Sequence, residues 1–445
     1  MPIIFRIFAL RFMYVIRMSQ IYRYISLISL LLPLSLFALD IDYRFSLRSG
    51  MIMPDAKVET MLGQREGTWC GPSLSGEFAV TFRPNWQSLT EWNDARIGAA
   101  LSYWKLDVTR SGSSDLLGHA IAPYAFLEVP FYRSPHFIVG VRPGFGFAFV
   151  TKTYYNTATP EQLYVTQLAP NINQSIGSVF NYFFPEAFYM TFPIRGGWSL
   201  GLSAGWYHMS NGSMRKPNSG YNIFGGDLTL CYRPEDDSPR PADQTTQEYS
   251  LEALRKHHCE IELGFIGAPR QVFYKDRKTF FCSEIQLAAY WRAHRIFRLG
   301  GGVDIFYDGA YYDRPTEYGK TYLPGATQAD CWRVGVSLQP EFVVGHFSAG
   351  FHLGIYLYDP VKNREVATKD KAAYAALWNE GVMPRKGIFY SYDLINAGSP
   401  GYPDGFLYTQ VNIRYRLPHH LFIQGVMKSH LTKVEFIGLG LGIYL

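Results

Sequence analysis

The stretch 206–222 combines residue types that can perform nucleophilic catalysis. Its histidine and serine, His208 and Ser210, stand two positions apart at the end of a run that alternates like a β-strand. Residues i and i+2 of a strand project from the same face, so these two side chains should lie side by side. A histidine that accepts the hydroxyl proton converts a serine into a nucleophile. The pair therefore predicts esterase-type chemistry at a strand end.

The face that carries His208 and Ser210 is otherwise apolar. Its other members are Trp198, Leu200, Leu202, Ala204 and Trp206. The opposite face carries Ser199, Gly201, Ser203, Gly205 and Tyr207. A nucleophile and its base on the apolar face of a strand suit a protein whose outer surface contacts lipid and whose substrate is a lipid.

The composition agrees with a membrane protein built from strands. Aromatic residues make up 16% of the 445 residues and charged residues only 18%, which is typical of strands with rings at a membrane interface. Beyond the N-terminal region no segment has 18 consecutive apolar residues, so no transmembrane helix is predicted. The formal charge of +5 is mild and unclustered, which argues against nucleic acid as a partner. The five scattered cysteines include no CxxC pair, and we expect neither a metal nor a cofactor.

Residues 1–38 are predicted to be an export signal. Arginines at 6, 11, 17 and 23 precede an apolar core at 25–37, and Ala38 suits a cleavage site. Met18 is an alternative start that gives a more usual signal length. A retained signal anchor is disfavoured because the apolar core is too short to span a bilayer comfortably.

Strand-like alternation recurs along the rest of the chain. Long runs with one apolar and one polar or glycine-rich face occur at 137–149, 332–342, 347–358 and 407–417. Runs of ten or more residues indicate apolar-out, polar-in transmembrane strands. Short breaks, as at 195–197 and 418–420, interleave with long ones, as at 153–178 and 359–405, the pattern of periplasmic turns and extracellular loops. With the N-terminus in the periplasm we count about sixteen strands, and the seventh ends with Ser210 at the outer leaflet.

The polar stretch 234–257 separates two halves, 39–233 and 258–445, of about eight strands each. Several charges fall on the predicted inward face: Arg142, Arg298, Asp304, Arg333, Glu341, Arg414 and Arg416. So many inward charges favour a water-filled lumen. We therefore expect an all-β fold, one transmembrane antiparallel β-barrel of about sixteen strands with 234–257 as a periplasmic turn. Two tandem eight-stranded barrels are the alternative, which would require the strand at 42–50 to pair with 221–233 rather than 433–445.

The segment 206–222 resembles the motif of a known family. His-x-Ser-Asn, then Pro-Asn-x-Gly and a polar residue two positions on, is similar to the PagL-type lipid A 3-O-deacylases, also called acyloxyacyl hydrolases. These are outer-membrane β-barrel serine esterases that remove an acyl chain from lipid A. The resemblance covers roughly 40–233 and implies that His208 is the general base and Ser210 the nucleophile. It also implies that Asn211 and Asn218 shape the oxyanion region.

The chain departs from the family at the third catalytic position. The family has a glutamate fourteen residues after the histidine, where this chain has Asn222. A hairpin centred near Arg215 would place His208 and Asn222 directly opposite each other, within reach of a hydrogen bond. Asparagine can orient a histidine but supplies no negative charge. Asp227 is a weaker candidate for the acid, because its offset points it into the lumen.

The loop between the two strands supplies the remaining candidates. Small residues such as Gly212 leave backbone N–H groups accessible as oxyanion donors. Arg215 and Lys216 at its tip are expected to hold a lipid A phosphate. His430 and Thr432 repeat the spacing of the catalytic pair, but their parity places them on the lumen side, and we interpret them as a decayed repeat or a coincidence.

The predicted function is that of an outer-membrane serine esterase that removes an ester-linked acyl chain from lipid A of lipopolysaccharide. Its partners would be lipid A and the lipids of the Gram-negative outer membrane, and the sequence leaves open whether the protein is a homodimer. The main alternative is a non-enzymatic porin or transport barrel with a degenerate esterase site, supported by Asn222. A calcium-dependent phospholipase is disfavoured because no acidic cluster has calcium-binding spacing.

Overall fold

The computed structural model describes residues 41–83, 95–163, 170–234, 259–271, 278–294, 297–312, 327–344, 346–358, 407–430 and 433–445. The predicted signal 1–38 lies outside these residues, as does nearly all of the predicted linker 234–257. No helix within the described ranges is long and apolar enough to cross a membrane.

The first half forms eight strands. They are β1 (Ile41–Ile52), β2 (Cys70–Phe82), β3 (Arg96–Lys105), β4 (His119–Arg133), β5 (Ile138–Val150), β6 (Phe180–Pro193), β7 (Trp198–Ser210) and β8 (Tyr221–Tyr232). Two short helices, α1 (Ala56–Leu62) and α2 (Tyr154–Thr157), lie in the longer connections, with a 3₁₀ turn at Gly112–Ser114. These long connections are at the same end of the strands as the β7–β8 loop, which we call the loop end.

The second half forms eight more strands. They are β9 (Cys259–Gln271), β10 (Thr279–His294), β11 (Phe297–Asp308), β12 (Trp332–Val344), β13 (Phe347–Tyr358), β14 (Leu407–Arg416), β15 (Leu421–His430) and β16 (Lys433–Tyr444). Two 3₁₀ turns, Gly309–Tyr311 and Gln328–Cys331, follow β11 and precede β12.

Each half closes on itself. β1 pairs with both β2 and β8, with Tyr43 opposite Tyr232. β9 pairs with both β10 and β16, with Phe265 opposite Leu441. The fold is therefore two closed eight-stranded antiparallel barrels. The prediction of one sixteen-stranded barrel is wrong, and the alternative of two tandem barrels is confirmed.

The inward charges explain why the single-barrel prediction failed. In the first barrel the buried carboxylate of Glu128 accepts hydrogen bonds from the guanidinium groups of Arg44 and Arg142. Arg48 forms a buried salt bridge with Asp227 at 3.2 Å. Buried ions require partners, and an eight-stranded barrel has an interior just wide enough for side chains. The charges fill the lumen as ion pairs and do not line an aqueous channel.

The second barrel is filled in the same way. Arg298 donates to Glu262 at 2.6 Å and to Glu341 at 2.7 Å, and Arg414 also pairs with both carboxylates. Asp304 accepts from Tyr408 and Ser337, both at 2.6 Å. The prediction that these charged residues face inward is confirmed. Their presence indicates ion pairs across a narrow interior and does not indicate how many strands the barrel has.

The outward faces carry the predicted apolar side chains. On β7, Trp198, Leu200 and Leu202 are 44%, 36% and 49% exposed, while the alternate residue Tyr207 is buried in the interior. This period-2 alternation gives each barrel an apolar outer wall, as transmembrane strands have. His208 and Ser210 belong to that wall by parity, at its loop end.

Candidate active site

The pairing of β7 with β8 assembles His208, Ser210 and Asn222. In the register of this hairpin, His208 lies directly opposite Asn222. His208 Nε2 is 2.7 Å from Ser210 Oγ, and His208 Nδ1 is 2.8 Å from Asn222 Oδ1. The three side chains thus form one continuous hydrogen-bonded chain.

Trp206 fixes the direction of the hydrogen bonds in this chain. Its indole Nε1–H lies 3.2 Å from the same Asn222 oxygen, and an indole nitrogen can only donate. The atom of Asn222 that faces both partners must therefore be the carbonyl oxygen. It follows that His208 carries its proton on Nδ1 and accepts the Ser210 hydroxyl proton at Nε2. This is the tautomer that a general base beside a nucleophilic serine requires.

Aromatic rings surround the histidine. The indole of Trp206 stacks on His208 with centroids 5.4 Å apart, and the ring of Phe184 lies 6.1 Å away. Ser210 is only 2% exposed, and His208 is half-buried. Trp206 was assigned from sequence only to the apolar face, although its position two residues before His208 is a signal that it adjoins the site.

Loop 211–220 is folded around Asn211. The backbone N–H of Asn211 donates to Asn218 Oδ1 at 2.8 Å, and its side-chain amide donates to the Arg215 carbonyl at 2.7 Å and to Ser178 Oγ at 2.8 Å. Asn211 is fully buried. The two asparagines predicted to shape the oxyanion region are therefore in contact, and Asn211 organises the loop between the paired strands.

A neighbouring connection fixes the far end of the same loop. The carbonyl of Ser175 accepts from the backbone N–H groups of Ser219, at 2.9 Å, and Gly220, at 3.1 Å. Ile176 forms an isolated antiparallel bridge with Asn218. These long-range contacts give no signal in the sequence, because the sequence predicts only a long loop at 153–178.

The basic residues of the loop differ in their surroundings. Arg215 is exposed at the tip, with its guanidinium 4.0 Å from the ring centroid of Tyr155. Lys216 is partly buried, and its Nζ donates to Ser213 Oγ at 3.2 Å. Gly212 has φ +60° and packs against Ile437 of the second barrel.

Gly220 is a site residue that sequence reasoning missed. It has φ +77°, and a Cβ there would lie 2.5 Å from the Met209 carbonyl oxygen, 2.9 Å from Ser210 Cβ and 3.1 Å from His208 Cε1. Only glycine allows the loop to pass so close to His208 and Ser210. The Pro-Asn-x-Gly pattern contained the signal, because a glycine that ends the loop directly before the partner strand suggests a steric or conformational role.

Two other candidates lie elsewhere. Asp227 points into the first lumen and pairs with Arg48, as its parity predicted. His430 is buried in the second barrel, with Nε2 2.8 Å from Glu435, and Thr432 lies outside the described residues. Glu186, which the sequence did not single out, lies on the outward face of β6 opposite Trp206.

Two closed barrels with apolar outer walls have the architecture of an outer-membrane β-barrel protein. Residues 74–230 match the family described as lipid A 3-O-deacylase (PagL), and residues 259–376 match the one described as acyloxyacyl hydrolase, C-terminal domain. The chain belongs to the PagL-type lipid A 3-O-deacylase family. The second match extends the relationship beyond the first half, where the motif lies.

The comparison with solved structures gave distant matches. Neisserial surface protein A is 14% identical, with a TM-score of 0.25 over 44% of this chain and 97% of its own. The outer membrane enzyme PagL is 15% identical, with a TM-score of 0.24 over 42% and 97%. A mutant Rhodopseudomonas blastica porin is 10% identical, with a TM-score of 0.16 over 91% and 100%. Comparison with curated proteins gave no match.

Proposed function

We propose that the protein is an outer-membrane serine esterase that removes an ester-linked acyl chain from lipid A of lipopolysaccharide. Ser210 is the nucleophile, His208 the general base and Asn222 the residue that orients the histidine. The observation that carries this proposal is the hydrogen-bonded chain through these three side chains, at 2.7 and 2.8 Å, on the apolar wall of the first barrel.

The reaction follows from the direction of those hydrogen bonds. His208 Nε2 takes the Ser210 proton as Oγ attacks the ester carbonyl carbon, and the imidazolium then protonates the departing alcohol oxygen of lipid A. The acyl group is left on Ser210 Oγ. His208 next activates a water molecule that hydrolyses the acyl-enzyme and restores the serine. Asn222 holds the imidazole in place throughout, without the charge that the family's glutamate supplies.

The placement of the site fits a substrate embedded in the bilayer. Phe184 and Trp206 pack beside His208, and the 49%-exposed Phe224 lies opposite Trp206. Together they form an apolar surface suited to an acyl chain that approaches from the membrane. Arg215, exposed at the loop end, is suited to a lipid A phosphate, with Lys216 close behind it.

Loop 211–220 is proposed to supply the oxyanion donors. The backbone N–H of Asn211 is already bonded to Asn218 Oδ1, so it is the less suitable donor. The backbone N–H of Gly212 and the side-chain amide of Asn218 are the better candidates.

The alternative of a porin or transport channel has little support. Ion pairs such as Arg44–Glu128 and Arg298–Glu341 occupy both interiors, so the described parts of the barrels offer no wide aqueous path. The predicted signal, and the assignment of 234–257 as a linker, remain proposals.

The test is to incubate the purified, detergent-folded full-length chain with lipid A and to follow the products by mass spectrometry. The wild-type protein should release one acyl chain, and Ser210→Ala should release none while keeping its barrel fold. An active Ser210→Ala variant would contradict the nucleophile assignment. Failure of the wild type in several detergents would contradict the function itself.

A further inference from the structure

The second barrel contacts the loop that adjoins the candidate active site. The backbone N–H of Gln271, at the end of β9, donates to the Ser213 carbonyl at 2.8 Å. Ser213 Oγ donates to the Val434 carbonyl of β16 at 3.0 Å, and the Lys216 N–H donates to Gln271 Oε1 at 2.8 Å. A Cβ on Gly212 would come within 2.5 Å of Ile437. Loop 211–220 thus binds two strands of the other barrel.

These contacts fall where the second barrel's own ladder stops. The pairing of β16 with β9 runs from Tyr444 opposite Glu262 to Leu439 opposite Gly267, and the described residues show no further pair toward the loop end. Pro269, just beyond, has no backbone N–H to donate. Ser213 lies between the separated strand ends, because it bonds Gln271 on one and Val434 on the other.

The contact is a buried, satisfied interface. Ser213, Gln271 and Ile437 are 2%, 3% and 4% exposed. Ser213 also has φ +66°, a conformation that non-glycine residues seldom adopt. Buried polar groups are costly to leave without partners. Separating this loop from the second barrel would leave several hydrogen-bond donors and acceptors without partners at once.

We infer that the second barrel is an intramolecular support that holds loop 211–220 in its working conformation, with Ser213 and Gln271 as positioning residues. The inference rests on the proposed function, because the loop begins directly after Ser210 and ends with Gly220 against His208. The first barrel anchors the two ends of the loop, through Asn211 and through the Ser175 carbonyl. The second barrel fixes the middle.

The test compares variants of the full-length chain. Gln271→Ala removes the acceptor for the Lys216 N–H, whereas Gln271→Glu keeps an oxygen there. Ser213→Gly removes the hydroxyl bonded to Val434 and suits a positive φ. Gln339→Ala is the matched control: this second-barrel glutamine is also buried and hydrogen-bonded, to Tyr290 and Ser337, and does not bond to the loop in the described structure.

Two measurements are made on each variant: kcat and KM for lipid A deacylation, and hydrogen exchange of the backbone amides of 212–216 by mass spectrometry. Gln271→Ala and Ser213→Gly should speed exchange and lower kcat by about tenfold, within the range that small misplacements cause, with KM changed less than about twofold. Gln271→Glu should restore most of kcat, and Gln339→Ala should change neither quantity.

If the loop amides exchange at the wild-type rate in both Gln271→Ala and Ser213→Gly, the inference that the second barrel holds the loop is wrong. Faster exchange with unchanged kcat would overturn the positioning role. An equal loss of kcat in Gln339→Ala would also overturn it, because destabilising the second barrel would then be sufficient. If the wild type removes no acyl chain, the proposed function fails, and hydrogen exchange alone decides whether the second barrel holds the loop.

Discussion

Gly220→Ala should strongly reduce deacylation with little change in overall fold. The added Cβ would lie 2.5 Å from the Met209 carbonyl oxygen and 2.9 Å from Ser210 Cβ. An ordinary van der Waals distance requires these atoms to separate by roughly 0.5 to 1 Å. Movement of that size would break the 2.7 Å bond between His208 and Ser210. Misplacement by about 1 Å costs on the order of a hundredfold in rate, so we expect kcat to fall by about that factor.

The chain supplies a matched control for this substitution. Gly196, in the turn at the other end of β7, has φ +61°, and a Cβ there would meet nothing within 4 Å. Alanine at either position carries the strain of a left-handed conformation, about 1–2 kcal/mol. Gly196→Ala therefore reproduces the strain without the contact at the site.

We would measure deacylation kinetics and thermal unfolding for both variants, folded in the same detergent. Both should lose the stability that the shared backbone strain costs, Gly220→Ala should lose more because of its added clash, and only Gly220→Ala should lose activity. Wild-type kcat in Gly220→Ala would refute the role given to Gly220. A comparable loss of kcat in Gly196→Ala would show that backbone strain alone causes the effect.

Three further predictions concern His208, Asn222 and the ion pairs of the first barrel's lumen. His208→Asn should lower kcat by roughly three orders of magnitude or more, measured by the same assay, and a loss below tenfold would contradict its role as base. Asn222→Asp keeps the acceptor for His208 and adds charge, so kcat should be equal or higher, and a drop beyond tenfold would indicate another partner. Glu128→Ala leaves Arg44 and Arg142 buried without their carboxylate and should cost about 3–5 kcal/mol in unfolding free energy, whereas unchanged stability would show that water replaces it.

The arrangement of the candidate site residues could be predicted from sequence because they lie within one hairpin. Strand parity places His208 and Ser210 on one face, and the hairpin register places Asn222 opposite His208. Both depend only on residues close in the chain. Assigning the direction of the hydrogen bonds required one further observation, that the Trp206 indole donates to the Asn222 oxygen.

The number of barrels could not be predicted in the same way. Alternation and loop lengths are the same for one barrel of sixteen strands and for two of eight, because both use the same hairpins. The difference is which distant strand pairs with β1 and with β9, and inward charges do not report it. The support of loop 211–220 by Gln271 and Val434 is likewise long-range, and it exists only because the halves close separately.

In the proposed mechanism, asparagine rather than glutamate at position 222 gives up some stabilisation of the imidazolium and avoids the cost of burying a charge. A glutamate at this position would stabilise the imidazolium that forms during attack, but on this wall it would lie among Trp206 and the exposed Phe224, where an unpaired charge is costly to desolvate. Asparagine forgoes the charge and keeps the geometry, because its carbonyl oxygen accepts from both His208 and Trp206. Compared with glutamate, asparagine at this position should slow the reaction only through weaker stabilisation of the imidazolium, since the tautomer of His208 and its contact with Ser210 are preserved. A carboxylate restored here should therefore improve the chemical step more than it improves substrate binding.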